Sequence, residues 1–161
     1  MSHPASPEPA LKPILWGGLL AATGDLIFAF AYYGLKLSVF QGVAGGLIGL
    51  PAAVEGGVPT FLLGVALHYL IGVIWAAMFW LASRRLRFLI THAIPSGLGY
   101  GLVVFYGMNC IVLPLSALHR KGWPPPFEPW PIAMHMLVVG LPIALAVRQF
   151  ARGGSTSRLR R

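Results

Sequence analysis

The chain has 161 residues, 57% of them hydrophobic and 10% charged, with a mean hydropathy of +0.74 and a formal net charge of +8. A soluble domain carries about 25% charged residues, so a water-facing globule is excluded and an integral membrane protein is implied. The basic residues sit at the ends of apolar runs and in the C-terminal tail, a pattern that suits lipid headgroups and topology setting and excludes the basic stripe of a nucleic-acid binder.

The first apolar run, about 13–35, lies between Lys12 and Lys36. Its 23 residues make about 34 Å of helix, enough to cross a bilayer. It is longer than a signal-peptide core and lacks a clear small-residue cleavage site, so it reads as a retained span. Asp25 stands near its middle. The next stretch, about 38–50, is apolar but punctuated. Val39, Phe40, Val43, Leu47 and Ile48 share one helical face, while Gln41, Gly42, Gly45, Gly46 and Gly49 cluster on another side. A dozen residues are too few to span, so this segment is expected as a short interfacial or re-entrant helix packed through its glycine side. Glu55 follows in a turn, solvated or paired with Lys36.

The second span is expected at about 60–83, ended by Arg84, Arg85 and Arg87; the third at about 95–115, with Pro95 closing interfacial first turns and Pro114 marking the far end. A Pro-rich loop carrying Trp123 and Trp130 as interface anchors leads to the fourth span, about 130–148, where Pro142 is expected to bend the helix. The tail, 153–161, is polar and basic and reads as disordered. The fold class is therefore all-α: one membrane domain of four transmembrane helices, a four-helix bundle, plus one short helix.

Four spans place the N-terminus, the 84–87 loop and the tail on one side. Lys12, Arg84, Arg85, Arg87, Arg148, Arg152, Arg158, Arg160 and Arg161 lie there, nine of the twelve Lys and Arg, against Lys36, Arg120 and Lys121 opposite. The positive-inside rule puts both termini in the cytoplasm.

Each span carries one polar group inside its apolar stretch: Asp25, His68, Asn109 and His135. Asp25 and His135 are each 13 residues from the nearest basic residue at the cytoplasmic end and His68 is 16, depths of roughly 20–24 Å along straight helices. Asn109 reaches the same level if its span starts near Pro95. His68 lies on a stripe with Gly64 and Gly72, Asp25 lies between Ala21 and Ala29, and Asn109 continues the line Gly97, Gly101, Phe105. Small residues at i±4 mark faces where helices approach closely, so these groups are expected to point into the bundle. An ionised aspartate at a helix centre costs about 2.5–3.5 kcal/mol on insertion scales, which penalises a lipid-facing position.

The candidate site is thus Asp25, His68, Asn109 and His135, with Glu55 added if the short helix dips inward. Against it stand blander readings. Asp25 with His68 is also read as interhelical hydrogen-bonding glue, Asn109 as a packing donor, and His135, five residues past Trp130, as an interfacial histidine. Cys110, the single cysteine, reads as a small core residue and excludes an intrachain disulfide. His68 and His135 on separate helices form a possible haem or metal pair, but no local ligand motif accompanies them, so no cofactor and no metal are expected. GLGYG, Gly97 to Gly101, sits inside a span and reads as packing rather than a nucleotide loop.

TGD in the first span, QGVAGGLIG after it, GVALHYLIGVIWAAMFWLASRRL and FYGMNCIVLPLSA together resemble a family of small four-helix bacterial inner-membrane proteins of unknown function. The likeness covers roughly 17–118 and rests on Asp25, Gln41-Gly42, His68 and the run from Met108-Asn109 to Pro114-Leu115-Ser116. It implies a bacterial inner membrane location and that these polar positions belong to one pattern; it implies no activity.

Two function classes follow: a small membrane protein binding or moving a small solute or proton through the polar site, or a non-catalytic assembly subunit docking on itself or a membrane partner through its glycine faces. An enzyme is the less favoured class, and the lipid bilayer is the one partner composition demands.

Overall fold

The computed structural model describes residues 10–156, with side chains to Ala151. Four helices are long and apolar enough to cross a membrane: the first span Leu11–Tyr33, the second Gly57–Arg85, the third Ala93–Leu115 and the fourth Pro129–Ala151. The short helix is Leu37–Ile48, followed by a six-residue helix at Leu50–Glu55. A one-turn helix, Phe88–Thr91, precedes the third span. The protein is an all-α polytopic membrane protein, and no strand occurs among the described residues. The end carrying 34–56 and 116–128 is called the loop end below; the opposite end, with Lys12, Arg84, Arg85, Arg87 and Arg148, is the basic end.

Small residues set the packing. Where polar glue is scarce, helices in lipid associate by close van der Waals approach, which glycine and alanine permit. A Cβ at Gly18 would lie 2.6 Å from the Val73 Cα, and one at Gly72 would lie 2.9 Å from the Ala22 Cβ, so the first and second spans touch backbone to backbone. Gly17 sits 3.4 Å from the Ile143 Cα and Gly24 3.2 Å from Val138 by the same measure, joining the first span to the fourth. Gly97, Gly101 and Gly140 bring the third and fourth spans into direct contact. The core between them is Ala21, Ala76, Phe79, Ala93, Val104, Val139, Ile143, Ala144 and Val147. Trp75 and Phe79 of the second span stack edge-on against Tyr100 of the third, whose hydroxyl donates to the Trp75 carbonyl at 2.7 Å.

The short helix leans on the loop-end half of the second span. Gly64 admits the Phe40 backbone, and Phe40, Gln41, Ala44 and Gly45 are buried. Its C-terminus is closed by Gly49, at φ +83°, whose N–H reaches the Gly45 carbonyl; Ala117 N–H takes the Gly46 carbonyl at 2.9 Å and ties the helix to the end of the third span. The expected glycine side is met in part: Gln41 and Gly45 are buried, Gly45 against Leu50 and Leu118, while Leu47 and Ile48 of the opposite face are exposed. Phe40, placed by periodicity on the opposite face, is buried, whereas Gly42 and Gly49 have nothing within 4 Å of where a Cβ would stand. Gly49 is needed for its left-handed backbone, not for contact. Gly46 makes only a loose approach to Ser116, at 3.7 Å.

Gln41 holds the turn behind this helix. Its amide donates to the Gly57 carbonyl at 3.0 Å and to the Val54 carbonyl at 3.4 Å, and Thr60 donates to the Ala53 and Gly57 carbonyls. Gln41 is one of two buried polar side chains among the described residues. Gln41→Leu removes these bonds and leaves carbonyls unmet in an apolar setting, so a loss of about 1–3 kcal/mol is expected, measured as a lower thermal midpoint in detergent.

Both spans on the far side of the bundle loosen into π-helix, at Met108–Val112 and His135–Gly140. Each segment lies just ahead of a proline, Pro114 or Pro142, which has no N–H for the carbonyl four residues back and whose ring crowds it. The expected bend at Pro142 is therefore realised as a π segment. The last helix continues to Thr156, so the expected disordered tail, 153–161, begins in helix, which propagates from an anchored span more readily than it nucleates; residues 157–161 lie outside the described residues.

Candidate functional site

Asp25 faces two histidines from two other spans. His68 Nε2 of the second span lies 4.0 Å from Asp25 Oδ2, and His135 Nε2 of the fourth lies 4.0 Å from Asp25 Oδ1. The three side chains are 23%, 15% and 20% exposed, so they are largely enclosed by protein. Each carboxylate oxygen thus has its own imidazole.

The elements explain the convergence. Gly18, two turns from Asp25, and Gly72, one turn from His68, let the first two spans close; Gly24 and Val138 bring the fourth span alongside Asp25. His135 opens the fourth-span π segment, whose altered twist sets the register of the side chains that follow.

The two imidazoles are held differently. His135 Nδ1 lies 2.8 Å from the Pro131 carbonyl oxygen, one turn back on its own helix. A carbonyl only accepts, so Nδ1 carries a hydrogen, and in the neutral ring Nε2 presents its lone pair to Asp25. His68 Nε2 lies 2.9 Å from the Ala22 carbonyl of the first span, so here the nitrogen nearest Asp25 is the donor and is committed to backbone. Aromatic rings fix both planes: Phe40 stands edge-on to His68 and Phe105 edge-on to His135, each at 5.2 Å between centroids, and Tyr69 lies 5.9 Å from His68. Tyr69 also pairs with Thr23 through their hydroxyls at 3.0 Å, a second polar link between the first two spans.

Asn109 and Glu55 stand apart from this cluster. Asn109 donates to the Phe105 carbonyl of its own helix at 2.9 Å, inside the π segment before Pro114. Its link to the cluster is indirect, through Phe105 and the ring that packs on His135. Glu55 is exposed at the loop end and makes no ion pair, with Lys36 or otherwise, among the described residues. His135, read from its distance to Trp130 as interfacial, instead turns its ring inward to Asp25. Gln41, which sequence reasoning left out of the candidate site, is buried at the loop end as an anchor of the short helix; a glutamine in an apolar run was the signal for it.

No group of three or more His, Cys, Asp or Glu with the geometry to hold a metal ion occurs among the described residues. His68 Nε2 is already engaged with Ala22, which removes the nitrogen best aimed at a shared ion.

The fold and the cluster together define a polytopic α-helical membrane protein with an aspartate between two histidines in its spanning region. No family model, curated protein or solved structure matches the chain.

Proposed function

We propose that the protein is a multi-pass bacterial inner-membrane protein, both termini cytoplasmic, that binds and exchanges protons between Asp25 and His135, with His68 as a positioning residue. The observation that carries this reading is the placement of one imidazole against each oxygen of a single intramembrane carboxylate, at 4.0 Å on both sides. Ionisable residues within spans are costly and are retained where they serve an ion or proton path.

The chemistry is a proton exchange. A protonated Asp25 gives its proton to His135 Nε2, leaving a carboxylate beside an imidazolium; the reverse step restores both neutral groups. At 4.0 Å the partners are beyond a direct hydrogen bond, and a small side-chain movement or one bridging water closes such a gap. His68 keeps the carboxylate in place: its donation to the Ala22 carbonyl ties the second span to the first three residues before Asp25. Histidine suits the task because its ordinary titration range spans neutral pH.

The assembly reading draws less support. Gly97 and Gly101, one of its proposed docking faces, are occupied by the chain's own fourth span.

The test is reconstitution into vesicles containing a trapped pH-sensitive dye. After an acid pulse, wild-type vesicles are expected to equilibrate at least ~10-fold faster than protein-free vesicles, and Asp25→Asn vesicles at the protein-free rate, in line with the 10²–10⁴ that a positioned acid–base group contributes. Wild-type vesicles no faster than protein-free ones overturn the proposal.

A further inference from the structure

Two cavities meet at Gly42 on the short helix. One, about 420 Å³, runs between the short helix and the second and third spans past Leu67, Ile71 and Met108; the other, about 560 Å³, opens at the loop end beside Pro51. Gly42, Leu118 and Arg120 line both. The inner cavity is lined mainly by apolar side chains, and the Arg120 guanidinium stands where the two cavities meet.

Gly42 is otherwise unexplained. It sits within a helix, where glycine is a poor choice. Its backbone is not left-handed, and no atom stands within 4 Å of where its Cβ would be. Neither conformation nor packing requires glycine there; what its missing side chain preserves is open space at the junction of the cavities. Arg120 is exposed, makes no ion pair among the described residues, and is followed by the exposed Lys121. A free cation above an apolar slot in a protein surrounded by lipid is complementary to one kind of occupant.

We propose that this groove binds an anionic phospholipid, with an acyl chain lying past Gly42 toward Ile71 and the phosphate on the Arg120 guanidinium. Arginine is matched to phosphate oxygens in geometry as well as charge. The site is separate from the Asp25 cluster and does not depend on the proton exchange.

The test is native mass spectrometry of the full chain in mild detergent, with phosphatidylglycerol or phosphatidylcholine of the same acyl chains added. Wild type is expected to retain phosphatidylglycerol at least ~5-fold more than phosphatidylcholine, because both carry the phosphate but the choline ammonium cancels its charge beside Arg120 and Lys121, and inorganic phosphate in excess is expected not to displace it. Arg120→Gln removes the preference while leaving the chain monodisperse. Gly42→Phe fills the junction and abolishes retention of both lipids. Equal retention of the two lipids by wild type, or unchanged phosphatidylglycerol retention in Arg120→Gln, overturns the proposal. If Gly42→Phe lowers the thermal midpoint, the Arg120→Gln result decides. Displacement by inorganic phosphate shows an anion site without a lipid and also overturns it.

Discussion

Gly140→Leu is expected to abolish accumulation of the folded protein in the membrane. A Cβ at position 140 falls on the Gly97 carbonyl oxygen and the Gly101 amide nitrogen, and a Cβ at Gly101 falls on the Met136 backbone. The obstacles are backbone atoms of the facing helix, not the ends of flexible side chains, so the third and fourth spans must separate to admit any side chain. Overpacking a well-packed core costs about 1–3 kcal/mol even where side chains yield, and here the whole interface that places His135 is displaced. Membrane abundance and the thermal midpoint of whatever is extracted are the measurements. Gly42→Leu, whose side chain enters open space, is the control and is expected to accumulate normally. Equal abundance of the two variants contradicts the packing derived above.

The second large effect separates the two histidines. His135→Gln is expected to bring proton flux down to nearly the protein-free rate, a loss of about 10-fold or more, while His68→Gln reduces it far less. The reason is tautomeric. His135 Nδ1 is tied to the Pro131 carbonyl, so its free nitrogen is the one facing Asp25. His68 presents Asp25 with a nitrogen already donating to Ala22, a role a glutamine amide also fills. Vesicle flux normalised to reconstituted protein measures both. Equal losses at the two positions contradict the assignment of His135 as the exchange partner.

Much of this arrangement was legible in the residues. The four spans follow from apolar runs bounded by Lys and Arg, and their observed bounds differ from the expected ones by a few residues because apolar helices extend past the strictly hydrophobic stretch: the second begins at Gly57 and takes Pro59 into its first turns. Equal depth brought Asp25, His68 and His135 into one candidate set, since distance from the basic end is readable by counting. Asn109 stood at the same depth, but depth does not fix rotation: its amide donates to the Phe105 carbonyl of its own helix inside the π segment before Pro114. Rotation about the helix axis was only partly legible in the short helix: Gln41 and Gly45 of the glycine side are buried, but so is Phe40 from the opposite face. Pro142 signalled a bend and Pro114 a helix end, but neither signalled the π-helix that precedes each. The stripes did single out Gly64, Gly72, Gly97 and Gly101, which meet Phe40, Ala22, Leu141 and Met136; their partners Gly18 and Gly140 did not stand out, because a contact needs two surfaces and a single helix pattern describes one.

Asp25 is the chain's single aspartate, which makes the central claim open to one clean measurement. Protein labelled at the aspartate side-chain carboxyl with ¹³C gives one signal, read in bilayers by solid-state NMR. The signal is expected to change position when His135 is replaced by glutamine and to change far less in His68→Gln, as a proton shared with His135 requires. A signal at the same position in wild type and His135→Gln contradicts a proton site shared between the first and fourth spans.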